Sequence, residues 1–233
     1  MKKRILFLIL TGIVFCLVST LHAEEFVTRV KKNIYGGQGQ EIFYYLNQKE
    51  IAKEIMDQTS GRSVVIGKIP DGIVKSFYAS GKVFEKMNFL QNEPSGDYEQ
   101  YYENGKLLAK GSYLLGRLEG NYETYYPNGQ LMEKFFYKDG LIEGSSTKYY
   151  DNGQVQQESD YMAGKLEGYI QTYDKEGRQL EEIIYQNGMK DGFYKIFNLN
   201  GTLKFKDLYR ENKKMSRKIF DEEGRLLTEE KYF

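Results

Sequence analysis

The chain has 233 residues in which 33 basic and 33 acidic side chains cancel, with 21 tyrosines, no tryptophan, one cysteine and one histidine. A balanced charge offers no field for a polyanion, so nucleic acid is not an expected partner. A lone cysteine and a lone histidine cannot supply a disulfide framework, and they leave little for a thiol nucleophile or a zinc site.

In chain order, residues 1–23 read as a signal peptide. Lys2, Lys3 and Arg4 form a basic start, Ile5 to Val18 an apolar run, and Leu21-His22-Ala23 a short cleavage site. The alternative, an uncleaved anchor, needs roughly 20 apolar residues, and Thr11 and Gly12 interrupt the run. Lipidation at Cys16 is disfavoured by the bulk of Phe15 and by its place inside that run. Cleavage after Ala23 removes Cys16, His22 and three basic residues, leaving 30 bases against 33 acids, a net charge of −3. The exported form, periplasmic or secreted, then has no imidazole and no thiol, so neither a Ser-His-Asp triad nor a cysteine nucleophile can be built. The expectation is a non-enzymatic protein with no catalytic residues, no metal and no cofactor.

Residues 24–71 form an N-terminal segment. Residues 24 to 38 fit no repeat, Tyr44-Tyr45-Leu46-Asn47-Gln48 looks like a degenerate copy opening at Gly39, and an insert follows around Asp57 to Gly67. From residue 72 to 233 the chain is a hairpin-repeat domain. Gly72, Gly96, Gly120, Gly144, Gly168 and Gly192 open copies 24 residues long. A second glycine follows nine places later, at Gly81, Gly105, Gly129, Gly153, Gly177 and Gly201, and an aromatic residue stands four places before it, at Phe77, Tyr101, Tyr125, Tyr149, Tyr173 and Phe197.

Within a copy, a short strand-like run leads to Asn-Gly at Asn104-Gly105, Asn128-Gly129, Asn152-Gly153 and Asn200-Gly201, with Ser80-Gly81 and Glu176-Gly177 as variants. Asn-Gly between such runs predicts a two-residue hairpin turn with positive φ at both positions. The spacing Tyr-x-x-Gly-x-x-x-Gly, as in Tyr137, Gly140 and Gly144, supplies the return turn. Each copy then gives two antiparallel strands. The predicted fold is all-β, an elongated single-layer antiparallel sheet of stacked 24-residue hairpins that advances roughly 10 Å per copy. The last copy, Lys218 to Tyr232, has lost its linker glycines, and charge from Arg210 to Lys214 replaces the usual turn, as an end repeat requires.

Tyr-Tyr-x-Asn-Gly-x-Leu, as in Tyr101 to Leu107 and Tyr125 to Leu131, followed by the glycine-spaced return, resembles the bacterial variant of the MORN repeat found in YwqK-like proteins. The resemblance covers about 72 to 209 well. It implies a hairpin-repeat sheet in contact with other macromolecules. Members of this kind are commonly labelled antitoxin components, and related repeats are attached to catalytic domains or proposed to bind phospholipid.

The aromatic at the fixed place reads as packing between hairpins. Its neighbour varies, as Tyr102, Tyr126 and Tyr150 and then Asp174 and Asn198. With Tyr98, Tyr122 and Tyr194 on the same face by parity, it is the candidate recognition surface. The alternative is that both columns are core. Glu119, Glu143, Glu167 and Asp191 precede linker glycines and line one margin, either as solvated turn residues or as a lure for a cation or a basic partner, though too widely spaced to share a calcium ion. The functional expectation is a scaffold that binds a protein partner, neutralising or tethering it. The alternative is a repeat protein that binds cell-wall glycan or phospholipid, against which the missing tryptophan and a patchy column of bases speak. Aromatics on both faces also point to a homodimer with a covered second side.

Overall fold

In the computed structural model, residues 9–10, 13–14, 27–33, 39–57 and 63–232 are described, and every regular element among them is β-strand. The expected cleavage site at Leu21-His22-Ala23 lies outside the described residues; within the expected signal, Ile9–Leu10 and Ile13–Val14 pair antiparallel. The chain divides into two units, Met1–Gly105 and Lys106–Phe233.

In the first unit the described strands neighbour one another in the order Ser63–Gly67, Lys49–Asp57, Gly39–Leu46, Val27–Asn33, Gly72–Phe77, Val83–Leu90 and Glu93–Tyr101. Val27–Asn33, from the stretch that fits no repeat, is the joint of this unit. It runs antiparallel to Gly39–Leu46 and parallel to Gly72–Phe77, with Val27 opposite Val74. The parallel step makes room for a core in which Val27, Ile42, Tyr44, Ala52, Ile69, Val74, Met87, Phe89 and Tyr98 are buried. The Tyr44 ring meets Phe89 edge-on at 5.7 Å. Across this core Arg29 pairs with Glu85 at 2.8 Å, and both side chains are at least nine-tenths buried.

The second unit is a plain antiparallel ladder from Leu107–Leu114 to Leu226–Lys231, each strand bonded to the next in sequence. Among its described apolar residues only Ala109 and Ile183 are buried. A sheet without a second layer leaves its rows half-covered, so stability comes from contacts between successive hairpins.

Those contacts begin at the turns, and here the structure corrects the expected turn chemistry. At the Asn-Gly junctions only the glycine has positive φ, for example +95° at Gly129. The Gly129 amide donates to the Tyr126 carbonyl at 2.8 Å and the Tyr126 amide to the Gln130 carbonyl at 2.8 Å. The loop is therefore three residues long, a type I turn closed by a left-handed glycine, and asparagine keeps negative φ. The same bonds recur at Gly81, Gly153, Gly177, Gly201 and Gly224.

The two-residue turn with both φ positive lies at the return. Leu115-Gly116 has φ of 48° and 77°, Asp139-Gly140 52° and 80°, Ala163-Gly164 49° and 77°, and Asn187-Gly188 51° and 79°. Glu211-Asn212 adopts the same form at 47° and 66°, so the charged replacement near the end keeps the turn. Asn47-Gln48 also does so at 51° and 65°, so the hairpin of Gly39–Leu46 with Lys49–Asp57 has a turn of the return type.

Candidate functional site

Successive hairpins are bound to each other at three levels. On the Asn-Gly margin, Asn128 Nδ2 donates to the Asp151 carbonyl at 3.1 Å, Asn152 Nδ2 to the Lys175 carbonyl at 3.1 Å, and Asn200 Nδ2 to the Glu222 carbonyl at 3.0 Å. One step inward, the Tyr78 hydroxyl donates to the Tyr101 carbonyl at 2.6 Å, Tyr126 to Tyr149 at 2.7 Å and Tyr150 to Tyr173 at 2.8 Å.

On the return margin, Glu119 accepts from the Asp139 amide at 2.8 Å, Glu143 from the Ala163 amide at 2.8 Å and Glu167 from the Asn187 amide at 2.6 Å. Asp71 does the same for the Gln91 amide at 2.9 Å. Glu119, Glu143 and Glu167 thus each close the next return turn, whereas at the Glu211-Asn212 turn the bonds run between Asn212 and Lys190. Among the described residues no group of acids stands close enough to hold a metal ion.

The tyrosines expected to form a recognition face take different places. Tyr98 is buried in the first unit, with its hydroxyl 3.3 Å from Gln100 Oε1. Burial pushes the Tyr102 phenol above its ordinary range, helped by Tyr78. Tyr122 lies across Gly111, where an added Cβ would come within 2.7 Å of its ring, and meets Tyr137 edge-on at 5.8 Å. Tyr194 stands 6.4 Å from Tyr209, with the Lys190 ammonium 5.5 Å from each ring. Burial and the Glu181 carboxylate push its phenol up to about 12. Tyr126 and Tyr150 are occupied as inter-repeat braces. Between Tyr122 and Tyr194 the equivalent places hold Ser146 and Ile170, so the second unit carries no continuous tyrosine strip.

In each unit taken by itself the opposite face carries charged groups that the sequence reading did not single out. In the first unit Lys86, Glu99 and Tyr101 form a triad: the ammonium is 3.1 Å from the carboxylate and 2.9 Å from the phenol oxygen, and the phenol donates to Glu99 at 2.5 Å. Lys110, Glu123 and Tyr125 repeat it, with 2.9 Å between the ions and 2.5 Å from phenol to carboxylate. The tyrosine hydrogen bond, with the lysine beside it, holds Glu99 and Glu123 below the usual carboxylate range. Recurrence one copy apart marks these triads as structural, because a reacting group has no need to be duplicated in register.

Beyond them the row changes. Ser145 and Thr147 stand where earlier copies carry Asn121 and Glu123, and the face dips into a shallow open depression bordered by Glu158, Asp160, Tyr169 and Gln171. Ser145 donates to Asp160 at 2.7 Å, and the Tyr173 hydroxyl donates to Glu158 at 3.0 Å. Tyr169 is 51% exposed. The signal for this place was in the sequence as a break in the column, Ser-Ser-Thr in a copy whose neighbours read Asn-Tyr-Glu and Tyr-Ile-Gln.

Two turn types alternating at fixed spacing, with side chains passed from each hairpin to the next, define a β-hairpin repeat protein. Four segments, 70–91, 94–114, 118–139 and 142–162, match the family model described as MORN repeat variant, so these repeats are similar to that family. The copies opening at Gly168 and Gly192 lie beyond the matched segments and keep the same two turns. A comparison with curated proteins found no match. Repeats of this family generally serve contact with proteins or membranes, and a sheet of them is typically a scaffold without catalysis. Among the described residues no helix is long and apolar enough to cross a membrane.

Proposed function

We propose that the protein is an exported, non-enzymatic repeat scaffold that binds a protein partner and tethers or neutralises it. The observation that carries this reading is the commitment of its repeated polar groups. The return-turn acids and the tyrosine hydroxyls of successive hairpins are spent on neighbouring copies. What the ladder offers outward is a broad, shallow face, and shallow faces suit macromolecules better than small substrates. The test is cross-linked capture of the purified protein in an envelope extract. The expected result is one specific protein cross-linked to the chain. Recovery of nothing specific from wild-type material counts against the reading, as does turnover of a small molecule.

A second reading is favoured by the depression. An exposed Tyr169 ring beside Ser145, Glu158, Asp160 and Gln171 combines a flat apolar surface with side chains that bond hydroxyls, as a cell-wall glycan requires. Co-sedimentation with peptidoglycan that disappears on Tyr169→Ala would favour it over a protein partner.

A further inference from the structure

Cross-strand partners trace the charged row of the second unit as Lys110, Glu123, Lys134, Thr147, Glu158, Gln171, Glu182 and Lys195. Residues directly opposed across strands share a face and touch. Elsewhere in the row the charges are matched, Lys110 with Glu123 at 2.9 Å and, within the lining of the depression, Lys195 with Glu182 at 2.6 Å. One period further on, the lysine and tyrosine of the triads are kept as Lys134 and Tyr149, but Thr147 stands in place of the carboxylate. Among the described residues Lys134 makes no ion pair, and Glu158 on the far side of Thr147 pairs with no cation. Both side chains are exposed. Lys134, which acts on the opposed Glu123 without a contact ion pair because Lys110 holds that carboxylate, and Glu158 therefore stand two strands apart, about 10 Å, level with each other because both face Thr147.

We propose that this face docks on a second copy of the chain, with the two Gly144–Tyr149 strands face to face about a two-fold axis parallel to them. Rotation about the strand direction exchanges left and right neighbours and preserves the level. It sets Lys134 of each chain over Glu158 of the other. One arrangement satisfies all four charges, as a self-complementary two-fold contact must. Ser145 and Thr147 at the centre are small enough for two faces to approach. Phe136 and Tyr169, 43% and 51% exposed, come under cover on either side. Charge matching selects this register and the rings supply the apolar area.

The experiment is sedimentation equilibrium of the purified protein over a range of concentrations, with far-UV circular dichroism to verify folding. Wild type is expected to dimerise, less so at high salt. Lys134→Glu and Glu158→Lys each place like charges together and are expected to weaken the dimer at least tenfold. The double variant exchanges both signs and regains it. An equimolar mixture of the two single variants also recovers dimer mass, because each supplies what the other lacks. Wild type that stays monomeric throughout, or folded single variants that fail to complement each other, overturns the proposal. A monomer that still captures a different protein through Lys134 overturns self-pairing and leaves the scaffold reading standing.

Discussion

The buried ion pairs are the residues on which the fold is least forgiving. Arg29 and Glu85 sit at 10% and 5% exposure, and Glu85 also accepts from Ser76 Oγ at 3.4 Å. Removing one partner leaves the other charged and enclosed, so Glu85→Ala is expected to cost about 3–5 kcal/mol in chemical denaturation. At the other end of the chain Asp207, 1% exposed, is held by Arg217 through two bonds of 2.8 Å and by Lys214 at 3.2 Å. Burial opposes its charge, but these cations outweigh burial and hold its carboxyl below the usual range. A depressed folded-state value stabilises above the unfolded value, near 4, and is lost as pH falls through the folded one. Acidification below about pH 4 should therefore loosen the strands around Leu203–Phe220. Asp207→Asn should remove that acid-dependent step, as read from amide exchange against pH.

At the scale of the element, the glycines that open copies differ in what surrounds them. At Gly192 an added Cβ would lie 2.9 Å from Ile184 Cβ at a φ of +129°, whereas at Gly144 nothing stands within 4 Å and φ is +73°. Gly144→Ala is expected to cost about 1–2 kcal/mol, the ordinary left-handed penalty. Gly192→Ala should cost clearly more, and thermal melts of the two variants compare them directly. The return-turn acid can be tested in the same way. Glu143→Ala removes the acceptor of the Ala163 amide, for an expected loss of about 0.5–1.5 kcal/mol and faster exchange of that one amide.

The period, the strand pairs and both rows of turns were legible in the sequence, because glycine and aromatic spacing reports them directly. The turn types were not. Asn-Gly at Asn187-Gly188 makes the two-residue turn, yet at Asn128-Gly129 the same dipeptide ends a three-residue loop. What separates them is where the strands part, which depends on pairing several residues away. The tyrosine column could be seen, but its acceptors could not, since the Tyr149 and Tyr173 carbonyls leave no mark in the residue type. Val27–Asn33 was opaque for a related reason: a parallel pairing to Gly72–Phe77 belongs to no repeat.

At the scale of the whole molecule, core and ladder predict unequal protection. The first unit encloses Ile42, Tyr44, Ile69 and Val74 at 0–1% exposure, while Leu226–Lys231 is exposed at every position. Hydrogen exchange monitored by mass spectrometry should show the slowest amides in Gly39–Leu46 and Gly72–Phe77 and progressively faster ones toward the C-terminal strand, as expected where opening is local. Uniform protection from end to end would show that the ladder opens only as a whole.

The acids that close the return turns at Asp139, Ala163 and Asn187 have a directional consequence. Glu143 closes the loop at Ala163, and Glu167 the loop at Asn187, always reaching 20 residues toward the C-terminus. During synthesis the anchor for a new hairpin therefore emerges before the amide that needs it. Growth from the ribosome can proceed like a zip, with every finished module serving as the template for its successor. Whole modules of 24 residues can be gained or lost without unpicking that order, whereas a fractional deletion would strand an anchor with nothing to receive.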